Sequence, residues 1–237
     1  MGRLAVVGGH SILDTDFAAD AERMDVDVAG TPVAVLDAGD HVVLQRHGLD
    51  RYTAAHALDH KSNLRALVEL GCDRVLALSS VGGLRPELGV GTFLAPDDFI
   101  ALHLGLSYND SDPGHRVAGF DPGWREQIVK VCSRHVGLRA GGVYWQTIGP
   151  RFETPAEIRL LAAHADVVGM TIASECVLAG ELGLAYAAVC VVDNLANGVG
   201  PAPLTIEEFE AGKAANRARL LEMLDAVLPE LAESGTV

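Results

Sequence analysis

Four short segments concentrate groups that can hold an anion. Gly8-Gly9-His10-Ser11, Gln45-Arg46-His47-Gly48, Ser79-Ser80-Val81-Gly82-Gly83 and Gly169-Met170-Thr171 together supply hydroxyls, backbone N–H groups on small residues and one arginine. That is the donor set a phosphate-sized ligand needs. Taken singly, each segment reads more readily as a glycine turn or a solvated charge. What joins them is that each follows a strand-like run.

Those runs are apolar and rich in β-branched residues: 4–7, 33–36, 42–44, 75–78, 143–147 and 187–192, flanked by Gly, Asp or Asn. Helical patterns lie between them. Leu64, Leu67 and Val68 precede a stop at Gly71, and Trp124, Ile128, Val131 and Cys132 keep a spacing of three and four. Thr154, Pro155 and Glu157 give an N-cap, an N1 proline and an N3 carboxylate opening a helix over 156–163. Leu220, Met223, Leu224, Val227, Leu228 and Leu231 make the apolar stripe of a long closing helix. Strand and helix alternate without repeat or linker, so the expectation is one α/β domain over 1–237. Its mixed, twisted central sheet is flanked by helices and carries its site in loops at strand ends. The least patterned stretch, 107–123, reads as a surface loop, a lid or a subunit contact.

Composition narrows the function classes. The chain has 237 residues, 49% hydrophobic and 21% charged, with 18 Lys and Arg against 32 Asp and Glu, a net charge of −14. That sign opposes a nucleic-acid or anionic-membrane surface, so an anionic ligand must be collected by a local donor cluster. Cys72, Cys132, Cys176 and Cys190 lie far apart in apolar segments, which suits buried thiols in a reducing cytoplasm rather than a zinc site or disulfides. The longest apolar run, 184–192, is too short to span a bilayer, and a cytoplasmic protein is expected.

Gly149-Pro150-Arg151-Phe152-Glu153-Thr154-Pro155-Ala156-Glu157 and Ala165-Asp166-Val167-Val168-Gly169-Met170-Thr171 resemble signatures of the trimeric purine nucleoside phosphorylase and methylthioadenosine phosphorylase family. The resemblance extends through Arg46-His47-Gly48, Asn63, Gly71-Cys72, 79–84 and 191–194, so it covers nearly the whole chain in the family's order. It implies reversible phosphorolysis of a purine nucleoside, with inorganic phosphate as co-substrate and neither metal nor organic cofactor. It also implies a homotrimer in which a neighbouring subunit lends a site residue, expected between positions 108 and 120. By motif position, Arg46, His47, Ser79, Ser80 and Thr171 resemble the phosphate cradle, Val81, Gly82 and Phe152 the base site, and Tyr144 and Met170 the ribose packing. One position departs: His10, with Ser11 beside it, stands where the family usually has Ser or Thr, and either could contact phosphate. Ala55, Asp59 and His60 replace the Pro and Asn-Tyr common in methylthioadenosine phosphorylases.

Hydrogen-bond polarity argues the substrate. A 6-oxopurine offers O6 as acceptor and N1–H as donor, and adenine reverses that edge. Glu153 lies where 6-oxopurine-specific members place a carboxylate for N1–H. Asn194 lies where an amide serves O6 and N7, and Ala196 replaces a carboxylate of adenine-specific relatives. A purely local reading makes Glu153 a helix cap and Asn194 a turn residue. At the sugar end, Ile206 replaces the His that resembling enzymes use for the 5′-hydroxyl. With Phe209 it predicts an apolar 5′ pocket, unless both begin the core stripe of the last helix. The joint expectation is S-methyl-5′-thioinosine, with Asn194, Glu153 and His47 as the residues of the reaction. The alternatives are inosine or guanosine, then methylthioadenosine, and in other classes a nucleoside hydrolase or a non-catalytic nucleoside-binding paralogue.

Overall fold

The computed structural model describes residues 2–12, 15–109, 115–201 and 203–233. The strands are β1 (Arg3–Gly8), β2 (Glu22–Val28), β3 (Thr31–Asp37), β4 (His41–Gln45), β5 (Cys72–Gly83), β6 (Phe93–Ala95), β7 (Asp98–Ile100), β8 (Leu138–Ala140), β9 (Val143–Gln146), β10 (Val167–Gly169) and β11 (Ala185–Leu195). The helices are α1 (His60–Glu69), α2 (Pro122–Cys132), α3 (Pro155–Ala162), α4 (Ile172–Leu182) and α5 (Ile206–Glu233).

One mixed sheet runs β2-β3-β4-β1-β5-β10-β9-β7, with β11 also paired to β5 and leading to β6 and β8. The strand β5 organises it. Along one edge it pairs in parallel with β11 from Arg74 to Gly83. Along the other it pairs with β1 as far as Ala77 and with β10 only from Gly82. Between those points the sheet splits, and Leu78 to Val81 face no strand on that edge.

The period-two alternation of strands divides the core. Ala5, Val7, Val75, Ala77, Ala188 and Cys190 join the layer that includes Leu64, Leu67, Ile172 and Leu178 of α1 and α4. Leu4, Val6, Leu76, Leu78, Val189 and Val191 pack with Trp124, Ile128, Leu224 and Val227 of α2 and α5. Both faces are covered, which is why these strands are apolar throughout rather than alternating. All four cysteines are buried free thiols. Among the described residues no helix is long and apolar enough to cross a membrane.

The expected strands all form, and the predicted helix at 156–163 is α3, with Thr154 as N-cap and the reciprocal Glu157 bond in place. The elements not expected are β2, β6, β7, β8, β10 and α4. The 107–123 stretch is less free than a surface loop. Tyr108 donates its N–H to Glu181 and its hydroxyl to the Lys61 carbonyl, and Phe120 is buried; residues 110–114 lie outside the described residues.

Arg74 on β5 is fully buried and closes the fold at the end remote from the split. Its guanidinium lies 5.7 Å from the Trp124 ring and donates to the carbonyls of Gly2 (3.0 Å), Leu231 (3.3 Å) and Ala232 (2.7 Å). A cation at the carbonyl end of α5 meets the helix dipole with favourable sign. Arg74→Leu strands those carbonyls, and urea unfolding is expected to show a loss of about 2–3 kcal/mol.

Candidate active site

The cavity opens where β1 and β10 part, at the carboxyl ends of parallel β1, β4, β5 and β11, the usual ligand position in such sheets. Its volume is about 470 Å³. It is lined by His10, Arg46, His47, Ser79, Ser80, Val81, Gly82, Phe152, Glu153, Met170, Thr171, Asn194, Ile206 and Phe209, and thus collects fourteen of the sixteen residues singled out from sequence. Ser11 and Tyr144 are not among its lining.

Both exceptions have local causes. A bond from Ile12 N–H to the Gly9 carbonyl (3.1 Å) closes a turn that packs Ile12 into the core, and Ser11 goes inward with it. Its hydroxyl is buried and has no partner among the described residues. His10 therefore takes the cavity position alone. Tyr144 is fully buried behind the floor, so it supports the cavity wall instead of lining it. Its hydroxyl accepts from the N–H groups of Thr171 (3.2 Å) and Ile172 (3.5 Å). Two residues along β9, Gln146 accepts from Ser174 N–H at 3.0 Å. The strand thereby satisfies the first turn of α4, and the Thr171 side chain makes no capping bond, which leaves its hydroxyl to the cavity. Gly169 is obligatory here because a Cβ would stand 2.4 Å from the Tyr144 hydroxyl.

Arg46 fills the split in the sheet. It is 3% exposed, and its guanidinium donates to the carbonyls of Leu78 (2.8 Å), which lies past the last β1–β5 pair, and of Val7 (3.2 Å), the last β1 residue in that pairing. Its Nε and Nη2 donate to the two oxygens of Glu175 at 2.6 and 3.0 Å. Burial opposes both charges, but their mutual attraction outweighs it, holding Arg46 above and Glu175 below their ordinary ranges. Tyr186 adds a hydroxyl bond to Glu175 at 2.7 Å, and His60 Nδ1 stands 3.8 Å from it. Arg46 thus enters the cavity wall with its charge already matched. His47 bonds the Thr53 carbonyl through Nδ1 at 2.7 Å, and burial pushes it down to about 4.

At the other end, Glu153 is buried and accepts from the Thr147 hydroxyl at 2.6 Å. The cap of α3 is made by Thr154 and Glu157, so Glu153 is free of that duty and the local reading of it fails. Asn194 follows a β-bulge. Val192 pairs with Val81, Asn194 pairs with Gly82, and Asp193 is the extra residue. One Asn194 N–H goes to the Leu195 carbonyl at 2.9 Å, leaving the second N–H and the carbonyl for a ligand. Asp193 turns away toward α5, accepting from Ser80 Oγ and from Asn216 Nδ2 (2.7 Å), and burial raises it. The hydroxyl of Ser80 is therefore committed, and what that residue can offer a ligand is its main chain. Ile206 lines the cavity at 61% exposure, so it does not begin the core stripe; the open mouth beside it adjoins Phe209.

Sequence reasoning missed Glu175, Asp193 and Tyr52. A lone carboxylate inside the apolar run 172–179 was a signal for a buried partner. Asp193 gave none apart from closing a long apolar strand. Tyr52 lines the cavity, stacks on His47 (5.0 Å, 13°) and lies 3.2 Å from His10 Nε2 through its hydroxyl, none of which its loop sequence betrays.

With this geometry in view, the comparisons with known proteins place the chain in a family. Residues 8–229 match the Phosphorylase superfamily, and the chain belongs to it. A protein of Archaeoglobus fulgidus named "Probable 6-oxopurine nucleoside phosphorylase" is 35% identical over 97% of this chain and 97% of its own. One of Methanocaldococcus jannaschii, named "Probable S-methyl-5'-thioinosine phosphorylase", is 34% identical over 86% and 83%. Among solved structures, methylthioadenosine phosphorylase from Schistosoma mansoni in complex with adenine shares the fold with a TM-score of 0.84 at 20% identity, over 99% of this chain and 93% of that one.

Two measurements test the site. Glu175→Ala leaves Arg46 buried without its partner and is expected to lose about 3–5 kcal/mol in urea unfolding, whereas the pair Arg46→Met and Glu175→Leu together is expected to recover most of that. Because His47 is held below its ordinary 6.5, the unfolded chain binds more protons than the folded one between about pH 6.5 and 4. Stability is therefore present above that window and is lost as pH falls through it, by up to about 3 kcal/mol for this residue. His47→Gln is expected to flatten the loss in unfolding curves taken across the window.

Proposed function

We propose that the chain catalyses the phosphorolysis of a 6-oxopurine nucleoside with an apolar 5′ substituent. S-methyl-5′-thioinosine is the best single candidate, giving hypoxanthine and 5-methylthioribose 1-phosphate. The observation that carries this reading is that Glu153 and Asn194 are both buried and line the same cavity, with Ala196 in its wall instead of a second carboxylate. Carboxylate and amide match N1–H, O6 and N7 of an oxopurine, and the carboxylate would face the bare N1 of adenine. Such a mismatch leaves buried polar groups unpaired and discriminates by about 10⁴-fold. The names of the relatives from A. fulgidus and M. jannaschii agree with this base, and the second with the methylthio group.

In the reaction, a phosphate oxygen forms a bond to the anomeric carbon as the glycosidic bond to the purine breaks. The bonding electrons pass to the base, which takes a proton from solvent. Ser79, Thr171, His10 and the remaining N–H of Arg46 hold phosphate for that attack, the main chain at Ser80 adds to them, and His47, whose Nδ1 is spent on the Thr53 carbonyl, packs against His10 beside them. Asn194 stabilises charge arriving at N7 and O6, and Glu153 fixes the ring through N1–H. Met170 packs the ribose, with Val81, Gly82 and Phe152 against the base and Ile206 and Phe209 around the 5′ group. Phosphate is the co-substrate and no metal or organic cofactor takes part. The working form is a cytoplasmic homotrimer, in which a neighbour closes the mouth beside exposed Ile206. The exposed side chains of Leu102, Leu106 and Val117 suit a subunit contact.

The test is a phosphate-dependent assay over inosine, adenosine, methylthioinosine and methylthioadenosine. The parent is expected to prefer the oxo member of each pair and the methylthio form of inosine. Asn194→Asp should shift the base preference toward adenine by at least about tenfold. Ile206→His should favour inosine, and Arg46→Ala should raise the phosphate KM. Cleavage at equal rate without phosphate, giving free sugar, overturns the assignment in favour of hydrolysis.

A further inference from the structure

At the anion end of the cavity the charges do not balance an incoming dianion. Arg46 brings one positive charge, and Glu175 cancels it across two short bonds. His47 gives Nδ1 to the Thr53 carbonyl and is held neutral by burial, so its other nitrogen, Nε2, which faces Gly9, presents a lone pair. The N–H groups of Thr171 and Ile172 are taken by the Tyr144 hydroxyl, and the Ser80 hydroxyl is taken by Asp193. The donors left to the cavity, the Thr171 hydroxyl and one N–H of Arg46 among them, bring no unmatched positive charge, and desolvating a dianion there is costly unless such a charge arrives with it.

His10 is placed to supply it. Its ring centroid lies 4.6 Å from that of His47, and Nε2 lies 3.2 Å from the Tyr52 hydroxyl. Burial raises Tyr52, which keeps that hydroxyl protonated. A hydroxyl both donates and accepts, so the Tyr52 contact survives a change of charge on His10: it donates to a neutral Nε2 and accepts from a protonated one. Among the described residues, charged and titratable groups face His10 from the β4 side, from the loop after it and from α5. Arg46 and His47 stand on the β4 side, with Glu175 behind Arg46, and Tyr52 stands on the following loop. On α5, Phe209 meets the imidazole edge at 5.7 Å, and Glu210 lies beside it, paired to Lys213 at 2.7 Å.

We infer that phosphate binds together with one proton, taken up by His10 and held by Tyr52, so that anion affinity in this protein is coupled to pH through a residue standing where the resembling family usually has a simple hydroxyl. The inference rests on the reading of this cavity end as the phosphate site. It makes His10 a titrating ligand, and Tyr52 the residue that positions it.

Sulfate is the probe, because it remains a dianion near neutrality and any proton taken up must go to the protein. Calorimetric titration of the full chain with sulfate at about pH 7.5, repeated in buffers of different ionisation enthalpy, is expected to give uptake approaching one proton per bound sulfate. The affinity is expected to weaken by up to about tenfold per pH unit on the alkaline side. His10→Gln and His10→Thr are expected to bind sulfate with uptake near zero and a flat pH profile, and Tyr52→Phe to bind it more weakly than the parent with a smaller uptake. Sulfate binding to the parent without proton uptake overturns the inference and leaves the phosphate site standing. Unchanged uptake in both His10 variants also overturns it, placing the proton on another group such as His60. Absence of sulfate binding together with phosphate-independent turnover overturns the phosphate site itself.

Discussion

A buried ion pair at a fault in the sheet sets the arrangement of everything around it. Where β1 leaves β5 and β10 has not yet joined, the carbonyl of Leu78 faces no strand on that edge, and the Arg46 guanidinium bonds it together with the carbonyl of Val7, the last paired residue of β1. A cation in that position needs a carboxylate within bonding distance, since an unmatched buried charge costs several kcal/mol. Glu175 provides it from α4, Tyr186 from β11 steadies Glu175, and the start of α4 is fastened by Tyr144 and Gln146 of β9. Five elements, β1, β5, β9, β11 and α4, are thus tied to one point, and the strand and loop segments bearing Ser79, His47 and Thr171 inherit their spacing from it.

The two ends of the cavity use opposite devices. On the proposed reading, the end with Glu153 and Asn194 takes the base: its polar groups are few and each keeps unspent hydrogen-bonding capacity, so recognition there would come from fixed direction in dry surroundings. At the end with Arg46, most donors are already engaged with the protein, and on the same reading the adaptable charge is left to the histidine at the mouth.

What could be read from sequence follows from the physics of each element. β1, β5 and β11 are legible because helices cover both faces and their residues are apolar without interruption. β2 hides because most of its side chains, from Glu22 to Asp27, meet solvent, and β6, β7, β8 and β10 are three residues each, too short for a pattern. α4 is buried nearly all round in its first turns, so no stripe marks it. The site loops could be found by residue type at strand ends. Their supports could not, because Arg46 and Glu175 are 129 residues apart and no local signal joins them. The same limit misplaced Tyr144 and Ser11: motif position locates a backbone, whereas a turn or a capped helix start decides which way the side chain goes.

The bulge at Asp193 carries a consequence for how the site could diverge. Asn194 stands opposite Gly82 only because one extra residue has been let into β11; in an unbroken ladder continuing from Val192 and Val81, Asp193 would take that place. An amide and a carboxylate thus sit side by side in the chain, and a one-residue slip in pairing exchanges a group that can donate for one that only accepts. On the proposed reading of Asn194, the choice between two purine edges is stored in strand register as much as in side-chain identity, and loss of one residue at the bulge redirects it.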